Sequence, residues 1–410
     1  MRFGAVFLIL ALAILASGEQ FSYRNYKVFK VQHSTREEYM VLRQWAEKIG
    51  IDFWDRHRIM VRPDVQEQFA AFLEARNFSY EIIIEDVEVT VEAERKYNEE
   101  YIRAKKLSGR STVDFEHFWR LDEIYNYLDE LEAEYPQLVN VETVGTTHEG
   151  RPIKAITISK NGGQIDGSRP VIFMDAGVHA REWAAISSTL YFIHEVVEHY
   201  YEFEDDLLER DWVIVPVGNP DGYEYSHTNQ RFWRKNRVPV SILCYGVDLN
   251  RNFPFEWALI TNVCSDTYGG PSAGSEPETQ VIMNLLERYQ SSVQLYLAVH
   301  TWGDMILYPY GYAWPFIPVD NEAEHIAMGN RAKDAVTAAG NPNYVVGNSA
   351  EILYIASGAS DDYAASTGIP YAFTLELTGG GSGGFDLPPE RIEEVGKQTF
   401  EIFRSMAMDL

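Results

Sequence analysis

The chain has 410 residues and a formal net charge of −26 at pH 7, and its residues are 46% hydrophobic and 23% charged. Those fractions are typical of soluble globular proteins, and the length favours one large domain with a smaller one beside it. The negative charge argues against a nucleic-acid partner and favours basic ligands. It is equally consistent with a secreted protein whose acidic residues only keep it soluble.

The first 18 residues have the pattern of a secretory signal peptide. Arg2 supplies the positive charge, residues 6–16 form the apolar core, and small residues at 16–18 precede the cleavage point. The apolar core is too short to cross a bilayer, and no later stretch is long enough. We therefore expect an extracellular protein without membrane contact. In an oxidising compartment its only two cysteines, Cys244 and Cys264, are expected to pair.

Residues 21–85 show patterns in the order strand, helix, strand, strand, helix, strand. This order predicts a small ferredoxin-like α+β unit. The first helix starts near Ser34, because Ser34 and Glu37 have the spacing of a capping box, and it continues to about Ile49. Pro63 opens the second helix, which runs to about Ala75. The strands are predicted at 26–32, 51–54, 58–61 and 80–85.

A change in composition separates this unit from the rest of the chain. After residue 85 charged residues are dense, and the apolar spacing of Tyr97, Tyr101 and Ile102 predicts a connecting helix over 86–110. The helix ends in a basic stretch around Arg110. That stretch suits proteolytic cleavage, although a plain linker between domains has the same composition.

The remaining 300 residues, 111–410, alternate between helix and strand patterns. Apolar strands that contain few charges belong in a sheet covered on both faces, so we expect an α/β domain with a mixed sheet flanked by helices. The strands are predicted at 139–145, 153–159, 171–174, 212–217, 295–299 and 371–377, and an amphipathic helix at 121–135.

Three of these strands end near residues that bind metals or transfer protons. His179 and Glu182 follow the strand 171–174, His300 closes the strand 295–299, and Glu376 is the single charge within 371–377. Zinc held by two histidines and a glutamate leaves a position for water, whose pKa it lowers to about 7. A further carboxylate, Glu376, can then accept the proton.

A second pair of histidines offers an alternative metal site. His194 and His199 lie in a predicted helix five residues apart, whereas two ligands on one helix face are four apart. We interpret both as solvated helix residues, and six other histidines as lacking any companion: residues 33, 57, 117, 148, 227 and 325.

Several segments near the predicted site match a known family. They are HAREW at 179–183, NPDGY at 219–223, WRK at 233–235, GVDLNRN at 246–252, LYPYGY at 307–312 and FTLEL at 373–377. They span nearly all of Ser111–Leu410 in the family's order. On these segments the chain resembles the zinc metallocarboxypeptidases of the pancreatic A/B type, as a complete proenzyme and most closely the B type. The signal peptide and the N-terminal pattern extend the resemblance to the whole chain.

The resemblance implies one zinc ion per chain, bound by His179, Glu182 and His300. This two-histidine, one-glutamate set is that of carboxypeptidase A, so the assignment belongs to the resemblance. It further implies that Glu376 is the general base and that Arg234 stabilises the developing oxyanion. The other implied roles are a clamp on the substrate's terminal carboxylate (Asn250, Arg251, Tyr354), the next subsite inward (Arg181), an acceptor that orients His179 (Asp248), and a disulfide (Cys244, Cys264).

The resemblance also implies a mixed eight-stranded sheet and a division of the chain. We expect a signal peptide at 1–18, an activation segment at 19–110 that a trypsin-like protease removes near Arg110, and a catalytic domain at 111–410. The substrates are peptide or protein C-termini, and the enzyme is expected to be a monomer. Asp361 falls at the base of the pocket for the terminal side chain, where B-type enzymes carry an aspartate. Its charge favours C-terminal Lys or Arg.

Some residues depart from the family pattern, and alternatives stay open. Trp302 and Thr301 replace a tyrosine and a serine that line the substrate groove in vertebrate members. The loop between the cysteines is slightly short. The alternatives are an A-type enzyme that prefers aliphatic or aromatic ends, an inactive relative kept for binding, and a metal-dependent amide hydrolase with other substrates.

Overall fold

The structure, a computed structural model, describes residues 20–108, 113–380 and 384–410. The predicted signal peptide and Arg110 lie outside the described residues. We call residues 20–108 the N-terminal unit and the described residues from 113 onward the C-terminal unit.

The N-terminal unit contains the predicted α+β fold and a long helix after it. Its strands are β1 (Lys27–Val31), β2 (Asp52–Phe53), β3 (Arg58–Val61) and β4 (Tyr80–Ile84), and its helices are α1 (Arg36–Ile49), α2 (Gln66–Ala75) and α3 (Val87–Ser108). The sheet is antiparallel in the order β2-β3-β1-β4, with two helices between its strands. The predicted ferredoxin-like unit is thus confirmed.

One detail of the first helix was predicted wrongly. The capping box is formed by Thr35 and Glu38 and not by Ser34 and Glu37. The Thr35 hydroxyl accepts a hydrogen bond from the backbone N–H of Glu38, while the Glu38 carboxylate accepts from the backbone N–H groups of Ser34 and Thr35. Both pairs have the same three-residue spacing, so the sequence pattern alone did not distinguish them.

The C-terminal unit is built around one large sheet. Its strands are β5 (Val139–Thr146), β6 (Pro152–Ile158), β7 (Val171–Ala176), β8 (Asp211–Val215), β9 (Val293–Thr301), β10 (Met305–Tyr308), β11 (Val345–Asn348) and β12 (Tyr371–Leu377). Its helices are α4 (Leu121–Glu134), α5 (Trp183–Glu198), α6 (Pro220–Thr228), α7 (Pro277–Tyr289), α8 (Glu322–Ala338), α9 (Ser349–Ile352), α10 (Ser360–Ser366) and α11 (Ile392–Met408).

The eight strands lie in the order β11-β10-β12-β9-β7-β8-β6-β5 and form a mixed sheet, as predicted. Strands β8, β7, β9 and β12 are parallel neighbours at its centre. Helices α4, α5, α8 and α11 pack on one face, and α7 and α10 pack on the other. Because both faces are covered, all six residues of β7 are buried. The carboxyl ends of β7, β9 and β12 therefore meet at one edge.

Two further features of the chain bear on the predictions. Cys244 and Cys264 form a disulfide with their Cα atoms 5.1 Å apart, which confirms the predicted pair. A search of the described helices finds none that is both long and apolar enough to cross a membrane.

Candidate active site

His179, Glu182 and His300 come together at the carboxyl edge of the central strands. His179 and Glu182 lie on the loop between β7 and α5, and His300 is the second-last residue of β9. All three are buried, and one ligand atom from each lies within 4.8 Å of the others. Strand order creates the cluster, since β7 and β9 are adjacent although the two histidines are 121 residues apart in sequence.

The donor atoms of this cluster fit a divalent cation. The Nδ1 atoms of His179 and His300 lie 3.1 Å from each other, and 2.8 Å and 2.9 Å from different oxygens of Glu182. Two imidazole nitrogens and a carboxylate that converge in this way are the nitrogen and oxygen donors that zinc accepts. The Thr301 backbone N–H also donates to Glu182, at 3.3 Å, and holds its carboxylate in place.

Asp248 holds His179 in the orientation that ligation needs. Its Oδ1 lies 3.0 Å from Nε2 of His179, so Nε2 carries the proton and Nδ1 keeps its lone pair for a metal. The neighbouring charges of Arg234, His179 and Arg251 outweigh burial and hold the pKa of Asp248 well below its usual range. Asp248 is therefore a carboxylate at neutral pH.

Arg234 places a positive charge at the edge of the cluster. Its Nε and one terminal nitrogen donate to Asp248 Oδ2 at 3.1 Å and 3.0 Å, and another lies 3.9 Å from Glu182. The backbone fixes the loop as well, because the Ala180 N–H donates to the Arg234 carbonyl at 2.9 Å. Asp248 thus links the orientation of His179 to that of Arg234.

Glu376 lies in β12 directly beside His300 of β9. Burial, together with the negative charge of Glu182, raises the pKa of Glu376 to about 8. A divalent cation held by the neighbouring ligands would lower that pKa, because it favours the charged form. The carboxyl group of Glu376 therefore lies next to a metal-ligand candidate, and its surroundings shift its pKa.

Three polar residues form a second group beside the cluster. Asn250 and Arg251 belong to a short 3₁₀ turn, Leu249–Arg251, whose start Asp248 caps. Arg251 donates to the Tyr354 hydroxyl at 3.3 Å, and the Asn250 side chain accepts from the Ser360 N–H at 2.8 Å. The contact between Asn250 and Ser360 joins the turn to the start of α10, which carries Asp361.

Asp361 and Asp362 are both buried but have different surroundings. Both Asp362 oxygens accept from the Gly311 N–H, at 2.8 Å and 3.0 Å, so this carboxylate holds the loop after β10. Asp361 accepts from Ser349 at 3.4 Å. Burial raises the pKa of Asp361, and a hydrogen bond from Thr374 partly offsets that rise.

Two predicted groove residues face the N-terminal unit. Arg181 donates to Asp52 at 2.6 Å and stacks on Phe385, with 4.3 Å to the ring centroid. The Trp302 ring lies under the guanidinium of Arg58, at 4.3 Å. Thr301, by contrast, is buried beside Glu182.

Arg231 is a residue of this region that the sequence reading missed. Its guanidinium pairs with Glu94 of α3 at 2.5 Å and donates to the backbone carbonyls of Arg181 and Phe385 at 3.0 Å and 2.7 Å. It also stacks on Trp183, at 3.5 Å. The sequence did offer one indication of Arg231, since it is a basic residue just before the WRK segment. Its partner lies 137 residues away, so spacing did not reveal the pair.

Several of the other histidines differ from their predicted surroundings. His194 is half-buried, with Nδ1 2.8 Å from the Tyr127 hydroxyl, whereas we expected a solvated residue. The predicted exposure of His199 is correct. His33 and His57 are stacked with ring centroids 4.3 Å apart, and His117 lies 3.1 Å from Asp114 and 3.5 Å from Glu123. The prediction that these three histidines lack a companion was therefore wrong.

The family model for zinc carboxypeptidases matches residues 124–402. The chain belongs to the zinc carboxypeptidase family. A second model, for carboxypeptidase activation peptides, matches residues 29–94, within the N-terminal unit. The chain is therefore a zinc carboxypeptidase with an activation propeptide, that is, a zymogen.

Relatives of both specificity types align with nearly the whole chain of this zinc carboxypeptidase. Carboxypeptidase B of Helicoverpa zea is 37% identical and covers 96% of this chain and 96% of its own. Carboxypeptidase A1 of Rattus norvegicus is 32% identical, also with 96% of each chain covered. The crystal structure of carboxypeptidase A from Helicoverpa armigera superimposes with a TM-score of 0.88 at 33% identity, over 94% of this chain and 97% of that one.

Removal of zinc from this carboxypeptidase is expected to abolish activity without unfolding the chain. The ligands lie at one edge of an eight-stranded sheet, and other residues form its buried apolar core. Metal analysis should find one zinc per active chain. A chelator should remove both zinc and activity while the circular dichroism spectrum is kept, and added zinc should restore activity. Active protein without a transition metal would contradict this prediction.

Proposed function

We propose that this zinc carboxypeptidase removes C-terminal Lys and Arg from peptides. The observation that carries the proposal is Asp361, a buried carboxylate at the position where B-type enzymes carry an aspartate. Within the described residues it has no lysine or arginine at ion-pair distance. A buried carboxylate that faces an apolar terminal side chain would stay unpaired, which is costly, whereas Lys or Arg would neutralise it.

The residues around the zinc ligands have separate roles in peptide hydrolysis. Asn250, Arg251 and Tyr354 hold the terminal carboxylate of the substrate, which makes the enzyme an exopeptidase. Glu376 takes the proton of the attacking water, and Arg234 stabilises the negative charge that develops on the scissile carbonyl oxygen. His179, Glu182 and His300 would hold the zinc ion, which when bound would supply a Lewis acid for the carbonyl oxygen and lower the pKa of a water molecule. Asp248 positions both His179 and Arg234.

Replacing Asp361 by isoleucine is expected to reverse the preference for terminal residues. The change removes the charge that pairs with Lys or Arg, so the ratio of kcat/KM for Lys ends to that for Leu ends should fall about a hundredfold or more. The measurement uses peptides that differ only in the terminal residue, on trypsin-treated protein. Zinc content should stay at one per chain.

Asp362→Asn is the matched control for this variant. It alters an adjacent buried carboxylate that holds Gly311, so it is expected to lower stability but keep the ratio. If the wild-type enzyme cleaves terminal Leu or Phe faster than Lys and Arg, the A-type alternative is correct. If zinc-loaded, trypsin-treated protein cleaves no peptide, the protein is a binding relative.

We further propose the division of the chain given by the sequence. Residues 1–18 direct secretion, residues 19–110 are the activation segment, and residues 111–410 are the catalytic domain. The disulfide supports an oxidising, extracellular destination. Arg110 follows α3 closely and is a residue after which trypsin-like proteases cleave. Release at this point separates the N-terminal unit from the catalytic domain.

A further inference from the structure

Asp175 is a buried carboxylate that the roles described above do not use. It lies in β7, four residues before His179, and has no exposure to solvent. Its Oδ1 accepts a hydrogen bond from the Tyr296 hydroxyl, whereas Oδ2 has no hydrogen-bond partner within the part of the chain that the structure describes. A buried carboxylate oxygen without a donor is costly, so this atom requires either a ligand or another compensation.

The strand register places Asp175 close to Asp361. Asp175 pairs with Ala298 of β9, and Ala298 pairs with Thr374 of β12, so the three residues form one row across the sheet. Residues of such a row project from the same face. Helix α10 packs on this face, and its first turn carries Asp361, whose pKa is lowered by an interaction with Thr374. The single methyl group of Ala298 separates Asp175 from Thr374.

Neither Asp175 nor Asp361 is paired with a lysine or arginine among the described residues. Other buried aspartates are, such as Asp211 with Arg169 at 2.8 Å. Burial raises the pKa of Asp175 to about 6. The Asp361 charge adds to this rise, while the Tyr296 hydrogen bond and His300 oppose it. Two neighbouring buried acids without a cation are suited to receive one.

We propose that Asp175 is a second acidic residue at the base of the terminal side-chain pocket, and that it binds the substrate's basic group together with Asp361. The inference rests on the proposed preference for Lys and Arg and names a further residue that determines it. A guanidinium presents five N–H donors in one plane and can bridge two carboxylates, whereas an ammonium offers three donors from a single point. Arg ends should therefore depend on Asp175 more than Lys ends do.

Asp175→Asn tests this proposal, because the amide keeps the size of the side chain and can still accept from Tyr296. The full chain is treated with trypsin and assayed on peptides that differ only in a terminal Arg, Lys or Leu. We expect kcat/KM to fall about tenfold or more for Arg, by less for Lys, and by no more than about twofold for Leu, as for loss of a close buried charge pair. The double variant with Asp361→Asn should lose less than the product of the two single losses, since both residues contact one cation.

Asp211→Asn is the matched control, because Asp211 is a fully buried strand aspartate beside the opposite end of β7. It is expected to lower thermal stability and leave the Arg-to-Leu ratio unchanged. Tyr296→Phe serves as a second variant, because it removes the hydrogen bond that lowers the pKa of Asp175. As the pH is lowered, Asp175 should therefore take up its proton earlier, and the Arg-to-Leu ratio should begin to fall at a higher pH than in wild type. An unchanged ratio in Asp175→Asn and an unchanged pH profile in Tyr296→Phe would overturn the inference. A wild-type preference for Leu would instead overturn the proposed function.

Discussion

Replacing Glu376 by glutamine is expected to lower turnover by about 10² to 10⁴, as for loss of a general base. The amide has nearly the same shape as the carboxyl group but cannot accept the proton of the attacking water. Glu376 does not belong to the cluster of metal-ligand atoms, so the variant should still hold one zinc. Its KM for peptides should change much less than its kcat, because Asn250, Arg251 and Tyr354 are unchanged. Steady-state kinetics with metal analysis gives both values.

A second substitution separates a chemical role of Glu376 from a structural one. Glu376→Asp keeps the carboxylate but moves it back by one methylene, so it should retain part of the activity that Glu376→Gln loses. The pH profile of kcat should keep its acidic limb in Glu376→Asp and lose it in Glu376→Gln. Near-normal turnover of Glu376→Gln would place the general base elsewhere.

The uncleaved chain is expected to be nearly inactive, and trypsin-like cleavage near Arg110 should release most of its activity. The N-terminal unit makes direct contacts at the proposed groove, where Asp52 pairs with Arg181 and Arg58 covers Trp302. Arg43 of the same unit lies 5.0 Å from the Tyr354 ring, which the proposed clamp needs. A substrate chain therefore competes with these contacts. Activity of the intact chain, measured before and after trypsin treatment, tests the expectation.

The pair between Glu94 and Arg231 provides a sharper test of this latency. Both side chains are buried, and removing one partner of a buried ion pair costs about 3–5 kcal/mol. Glu94→Gln should therefore weaken docking of the N-terminal unit and raise the activity of the uncleaved chain. Activity after cleavage should equal that of wild type, because Glu94 has then left with α3.

Glu99→Gln is the matched control, since Glu99 lies on the same helix and its side chain is 73% exposed. It should leave the uncleaved chain as inactive as wild type. Full activity of the intact wild-type chain on small peptides would contradict latency. If Glu94→Gln did not raise the activity, the block would depend on other contacts of the N-terminal unit.

Much of the fold was predictable because it depends on local patterns. Apolar runs bounded by turns located the four central strands of the large sheet to within a few residues. The order of patterns in residues 21–85 predicted the ferredoxin-like unit, since each strand and helix there is short and regular. The capping box at Thr35 shows where such a prediction fails: two overlapping pairs have the same spacing, and only the folded backbone selects one.

The candidate site was predictable to the extent that its residues follow strands. His179, Glu182, His300 and Glu376 all lie at or near the ends of apolar runs, and parallel strands bring such ends to one edge. The resemblance of the surrounding segments to the family then implied a role for each of these residues. His194 was predicted less well, because its half-buried contact with Tyr127 joins two helices that periodicity does not relate.

By itself, the sequence determined the types of strand and helix, the metal-ligand residues, the proposed clamp and the membership of a zinc carboxypeptidase family. These features depend on short segments whose side chains carry their own chemistry. The tertiary structure decided which distant residues meet. It joined Glu94 to Arg231, placed Trp302 against Arg58, and packed helix α10, which carries Asp361, on the sheet face to which Asp175 belongs. The reason is that such contacts depend on the order of strands β7, β9 and β12 and on how the N-terminal unit docks, and neither is encoded in the spacing of residues along the chain.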